Sequence, residues 1–188
     1  MACKIKGCFI LFMLLSLAML TGCSNGGAVT YETVSAASIE VGEEIPVPED
    51  QEILTVLGNI SVTNQGDTLV FDRPTLEKLG IVQYTVLDPW LNVDVTYSGV
   101  LVSELLKHAG VSDSADAIVV SALDGYASDI PMSEIQSHPV LLATQADGTY
   151  LTIETNGPTR IIFDYNRHDN LTEIRNMSVW NVAAIEVK

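Results

Sequence analysis

The stretch VDVTYSGVLVSELLKHAG, Val93 to Gly110, decides the fold. VDVTY alternates apolar and polar residues, the period of a half-buried strand. From Gly99 to Ala109 the period becomes that of a helix. Val102, Leu105, Leu106 and Ala109 share one face, and Gly110 stands at the stop. A strand feeding straight into a short helix sets the pattern for the chain around it.

Upstream, EILTVLGNISV (Glu52 to Val62) reads as a strand bent at Gly58, and Asn64-Gln65-Gly66-Asp67 as a hairpin turn into TLVFD. Asp72 can cap a short helix with Pro74 in its first turn and Gly80 at its end. IVQYTVL is a strand broken by Asp88-Pro89-Trp90. Downstream come a buried strand DAIVVSAL, a turn at Asp124-Gly125-Tyr126 and a short helix after Pro131. VLLATQ and YLTIE read as a hairpin about Asp147-Gly148. The strand RIIFDY, a polar loop from Asn166 to Asn170 and a closing strand in MSVWNVAAIEV follow, with Val179, Val182, Ala184 and Val187 as core positions. Strands outnumber short helices, so the class is α+β with mixed or antiparallel sheets and a few short helices.

The N-terminus carries Lys4 and Lys6 and then an apolar run to Leu20, too short to span a bilayer as a mature helix. It closes in Leu20-Thr21-Gly22-Cys23, which resembles the lipobox of bacterial lipoproteins. That resemblance implies a signal peptide over 1–22 and a diacylglycerol thioether on Cys23. It also implies export, with a lipid anchor in the cell membrane or outer membrane and the domain on the periplasmic or extracellular side. Residues 23–50 are small, polar and acidic and read as a flexible tether, leaving 51–188 as one domain. Cys3 and Cys8 would leave with the signal, so the mature chain would hold no free thiol.

Nine Lys and Arg stand against 24 Asp and Glu, a net charge of −15; loss of two lysines with the signal takes it to −17. Such a surface repels phosphate backbones, which argues against nucleic acid as a partner.

The motifs occur in a recognisable order: Tyr97-Ser98-Gly99-Val100, Leu105 to Gly110, Asp124-Gly125-Tyr126, Leu141-Leu142-Ala143, and Gly157-Pro158-Thr159-Arg160-Ile161-Ile162. Together they resemble the molybdopterin-binding domain of the sulfite oxidase family, and more closely its short, exported, single-domain members, over about Ile53 to Val187. The segment Thr85 to Trp90 is similar to one those members carry before the helix. The resemblance implies a sulfite-oxidase-like α+β fold, molybdopterin as the one candidate cofactor, and Arg160 and Arg175 beside it. Thr85, Trp90, Asp124 and Tyr126 complete the candidate cofactor-binding set. In catalytic members a cysteine thiolate holds the molybdenum; Tyr84 to Trp90 contains none here. Nor does a histidine precede the Gly-Pro motif, where Glu154-Thr155-Asn156 stands.

Each candidate also has a plainer role. Arg160, Arg167 and Arg175 can form salt bridges in an acidic chain, and Trp90 and Trp180 can be core. Asp124 and Tyr126 can simply shape a turn. His108, His138 and His168 are not spaced as a metal site, so no metal ligand is assigned. Ser98 and Ser103 lack a histidine–acid pair. Three functions follow: a non-catalytic ligand- or partner-binding module of the cell envelope, a molybdopterin oxidoreductase with a substitute metal ligand, or a structural envelope lipoprotein. The first fits the missing thiolate, with a pterin, another small molecule or an envelope protein as partner.

Overall fold

The structure, a computed structural model, describes residues 30–167 and 170–188. The first element is a strand, β1 (Glu32–Ser35), ahead of the expected domain. Then come β2 (Glu52–Gly58), β3 (Leu69–Asp72), α1 (Arg73–Glu77), β4 (Ile81–Asp88), β5 (Val93–Leu101), α2 (Val102–His108), β6 (Ala117–Ala122), β7 (Ala127–Pro131) and α3 (Met132–Ser137). β8 (Leu141–Ala146), β9 (Thr149–Tyr150), β10 (Arg160–Ile162), α4 (Leu171–Met177) and β11 (Val182–Val187) complete the order.

One sheet runs β1-β4-β5-β8-β10, with β9 paired to β8; the other runs β3-β2-β11-β6-β7. β2 and β11 pair in parallel, and the remaining strand pairs are antiparallel. This is the mixed α+β architecture expected. Phe71, Tyr97, Leu142, Ile161, Leu105 and Ile185, from both sheets and α2, belong to one buried apolar cluster. Among the described residues no helix is long and apolar enough to cross a membrane.

The opening stretch turns later than its periodicity indicates. Gly99, Val100 and Leu101 stay in β5 and pair with Ala143, Leu142 and Leu141 of β8, so the helix starts at Val102. Helical spacing survives because Val100 is core in the strand and Val102 is core in the helix. Gly99 has a steric reason: a Cβ there would lie 2.1 Å from the carbonyl oxygen of Leu142. The register against β8 shifts at this point.

Three further expectations need correction. The segment YLTIE is a strand only at Thr149–Tyr150; Ile153–Thr155 is a 3-10 turn, with Ile153 exposed. The loop after residue 166 gives way to α4, capped by Asn170, whose side chain accepts from Glu173 N–H. Asn170 with Glu173 three residues on was the available signal. Finally, residues 30–50 are not a free tether. Two isoleucines in this polar stretch, Ile39 and Ile45, are buried, each removal from water contributing about 2 kcal/mol. β1 pairs with the edge of β4, and the Ser38 and Ile39 N–H groups donate to Lys78 O. The His108 ring nitrogens lie 2.9 Å from Glu104 O and 3.0 Å from Ile39 O. Cys23, the signal segment and His168 lie outside the described residues.

Asp72 fastens the end of this strap. As N-cap of α1 its Oδ1 accepts Thr75 N–H at 2.8 Å, and its Oδ2 accepts Glu49 and Asp50 N–H at 3.0 Å each. Burial pushes its carboxyl up, but these bonds outweigh it and hold the pKa at about 2, against an ordinary 3.8. A lowered folded pKa stabilises above the unfolded value and is lost as pH falls through the folded one. The contribution is on the order of 2 kcal/mol at neutral pH. In urea melts Asp72→Asn should therefore be less stable than the parent at pH 7, with the gap closing between pH 4 and 2. A gap that persists at pH 2 would contradict this assignment.

Candidate functional site

Period two along β4 turns Tyr84, Val86 and Asp88 inward and Thr85 and Leu87 outward. Asp88, the last residue of the strand, is therefore a carboxylate driven into the core, at 0 % exposure. A buried carboxylate requires donors. Its Oδ1 accepts the N–H groups of Trp90 and Leu91, both at 2.9 Å, which folds the chain sharply after Pro89. Its Oδ2 accepts Tyr97 Oη–H at 2.8 Å and Arg160 Nη2–H at 3.0 Å. Arg160, 4 % exposed, also donates from Nη1 to Tyr97 Oη at 2.8 Å.

Aromatic rings surround that guanidinium: its Cζ is 4.9 Å from the ring centre of Trp180, 5.1 Å from Trp90 and 5.3 Å from Tyr97. Trp90 meets Trp180 edge-on at 5.0 Å and Tyr165 at 5.8 Å. Arg160 Nε and Trp180 Nε1 are buried without an acceptor, and the cation–π contacts help offset that loss. Burial raises the Asp88 carboxyl, but hydrogen bonds from Leu91, Tyr97 and Trp90 and the Arg160 charge bring it below its ordinary value. Burial pushes the Tyr97 hydroxyl up; Arg160 opposes this and Asp88 adds to it. The result is a charged Asp–Tyr–Arg unit in which the carboxylate and both terminal guanidinium nitrogens are satisfied and Arg160 Nε is not.

Above it opens a cavity of about 240 Å³ lined by Trp90, Asp124, Tyr126, Arg175, Val179 and Trp180, among others. Four segments converge there, the stretch between α4 and β11 bringing Val179 and Trp180. The turn after β4 brings Trp90. The turn between β6 and β7 brings Asp124, whose Oδ1 accepts Tyr126 N–H at 2.9 Å, and Tyr126, whose hydroxyl donates to Asn176 O at 2.8 Å. α4 brings Arg175, which donates to Pro89 O and lies over Trp90 with its Cζ 5.6 Å from the ring centre.

Four of the six candidate cofactor-binding residues, Trp90, Asp124, Tyr126 and Arg175, thus share one cavity, with Arg160 beneath its tryptophan wall. Thr85 is not among them. The strand alternation puts it on the outer face, where its hydroxyl bonds Thr96 at 2.7 Å. Arg160 differs from expectation too, since Asp88 and Tyr97 take both of its terminal nitrogens. The sequence reading passed over Asp88 and Tyr97 as partners. The usable signal was parity: counting by twos from Tyr84 lands a carboxylate on an inward position, and such a carboxylate needs a cation. A larger cavity, about 530 Å³, lies between Ile53, Arg73, Leu123, Tyr150 and Ile153. There Arg73 covers Tyr150 at 4.4 Å and donates to Leu151 O. The smaller cavity has the stronger convergence of charged and aromatic groups.

Residues 78–165 match the family model described as the oxidoreductase molybdopterin binding domain. An uncharacterised oxidoreductase of Bacillus subtilis (strain 168), YuiH, is 28 % identical over 76 residues, 40 % of this chain and 38 % of that protein. The crystal structure of the sulfane dehydrogenase SoxCD from Paracoccus pantotrophus matches with a TM-score of 0.54 at 20 % identity, covering 71 % of this chain and 37 % of that chain. The chain thus spans less than two fifths of the length of these relatives. Its fold matches that of the sulfite-oxidase-like molybdopterin domain.

Removing one partner of a buried ion pair leaves an uncompensated charge, at a cost of about 3–5 kcal/mol, whereas an apolar pair of similar volume is often neutral. In urea denaturation Asp88→Ala should lose about 3 kcal/mol. The double variant Asp88→Leu/Arg160→Met should be more stable than Asp88→Ala. A loss under about 1 kcal/mol for Asp88→Ala would place the pair among weak surface bridges.

Proposed function

We propose that the domain is a ligand-binding module of the cell envelope that keeps the molybdopterin-domain fold without running molybdenum redox chemistry. The closed Asp88–Arg160 pair carries this proposal. A pterin phosphate reaching Arg160 would have to displace a fully buried carboxylate from it. The donor set agrees. Residues 30–188 contain no cysteine, and among the described residues no cluster of three or more His, Cys, Asp or Glu could hold a metal. These residues do not fit a thiolate-held molybdenum pterin. The cavity at Trp90, Asp124, Tyr126 and Arg175 remains accessible, built from exposed polar groups on an apolar wall.

Two measurements bear on this. Protein purified from a molybdenum-replete host should contain far less than one molybdenum per chain, and a stoichiometric content would overturn the proposal. A ligand that binds only the folded state must raise the unfolding midpoint. At least one small molecule among pterins, oxyanions and amino acids should do so for the parent and not for Arg175→Ala.

Anchoring belongs to the same proposal. The Leu20-Thr21-Gly22-Cys23 motif would place a lipid on Cys23, nine residues before β1, and hold the domain close to the membrane surface. Intact-mass spectrometry of the mature protein should show a chain starting at an acylated Cys23. An unmodified cysteine, or cleavage elsewhere, would remove the anchor.

A further inference from the structure

The charges that line the small cavity differ from those beneath it. Asp88 and Arg160 neutralise each other out of solvent. Arg175 and Asp124 are both exposed and line the same cavity, and among the described residues neither has an ion-pair partner. Arg175 spends one hydrogen bond on Pro89 O, and Asp124 spends Oδ1 on the Tyr126 N–H. A guanidinium edge and one carboxylate oxygen are left facing a shared space.

The cavity also has apolar surface, from Trp90 at 37 % exposure, Tyr126 at 47 % and Val179, beside Ser178 and Asn181. Guanidinium groups already cover the faces of Trp90 and Trp180, so this is not an aromatic cage for an organic cation. A plain anion would meet Asp124 as well as Arg175. At about 240 Å³ the cavity is below the usual range of about 300–1,000 Å³ for drug-sized ligands.

We infer that this cavity takes a small zwitterion of the class of a free apolar α-amino acid. The ligand carboxylate pairs with Arg175, its ammonium with Asp124, and its side chain lies against Tyr126 and the exposed edge of Trp90. The inference rests on the binding-module proposal and names its ligand class. Guanidinium suits a carboxylate through parallel N–H···O bonds, and each charged bond is stronger than a neutral one.

The chain supplies its own reporter. Its two tryptophans, Trp90 and Trp180, both line this cavity, so intrinsic fluorescence reads the site. The probes are L-leucine, isopentylamine, which lacks the carboxylate, and 4-methylpentanoate, which lacks the ammonium. L-leucine should give a saturable fluorescence change and bind at least tenfold tighter than either analogue. Arg175→Gln and Asp124→Asn should each weaken leucine about tenfold, with each variant's unfolding midpoint measured without ligand as its own reference, since both side chains also make structural hydrogen bonds. Asp124→Asn should narrow the gap between leucine and 4-methylpentanoate. The inference is overturned if either analogue binds as tightly as leucine, or if leucine gives no saturable change while a pterin or oxyanion raises the midpoint. The latter leaves the binding module standing with another ligand. One molybdenum per chain would instead remove the module proposal itself.

Discussion

The Asp88–Arg160 pair is the constraint on which the rest of the site depends. A carboxylate at 0 % exposure is tolerable only with its lone pairs filled, and here two backbone N–H groups, a tyrosine hydroxyl and a guanidinium fill them. Those partners come from the turn after β4, from β5 and from β10, so one charged unit fixes three places on the first sheet. The guanidinium in turn orders Trp90 and Trp180, the second of which lies just before β11 of the other sheet. Buried pairs of this kind are weak evidence for stability but can specify one arrangement. Here the arrangement lies behind Trp90 and Trp180, two of the residues that line the cavity.

The cavity itself comes from convergence. No single element holds more than a fraction of it: the β4–β5 turn gives Trp90, the β6–β7 turn gives Asp124 and Tyr126, and α4 gives Arg175. The Tyr126 bond to Asn176 O and the Arg175 bond to Pro89 O tie these pieces to one another. A site assembled from turns on a two-sheet scaffold can change its chemistry without changing its fold. Here a chain with that architecture pairs a buried arginine with its own carboxylate. SoxCD and YuiH share the fold or part of the sequence, and their names describe their own chemistry.

At the other end of the domain, the N-terminal strap shows the same economy. Its composition is that of a linker, yet Ile39 and Ile45 anchor it, β1 extends the first sheet and Asp72 binds the backbone at Glu49 and Asp50 beside the second. His108 joins the strap to α2. Two apolar residues and one capping aspartate outweigh the polar average, since burial and hydrogen bonding act residue by residue.

Local chemistry in the sequence determined the strands, the short helices and most of the turns. Period-two alternation located β2 and β5, Asp72 and Pro74 located α1, and Gly110 located the end of α2. α4 was missed although Asn170 and Glu173 carried its cap, and Leu101 was taken as helix because a core position fits either period. Four of the site residues could be named because the ordered motifs along the chain resemble those of a known domain. Pairing could not be seen. That Arg160 faces Asp88, 72 residues away, that Thr85 faces outward, and that Trp90, Tyr126 and Arg175 line one space all depend on sheet register and on turns meeting across the domain. Sequence sets what each residue can donate, accept or bury; only tertiary structure decides which partner stands within 3 Å.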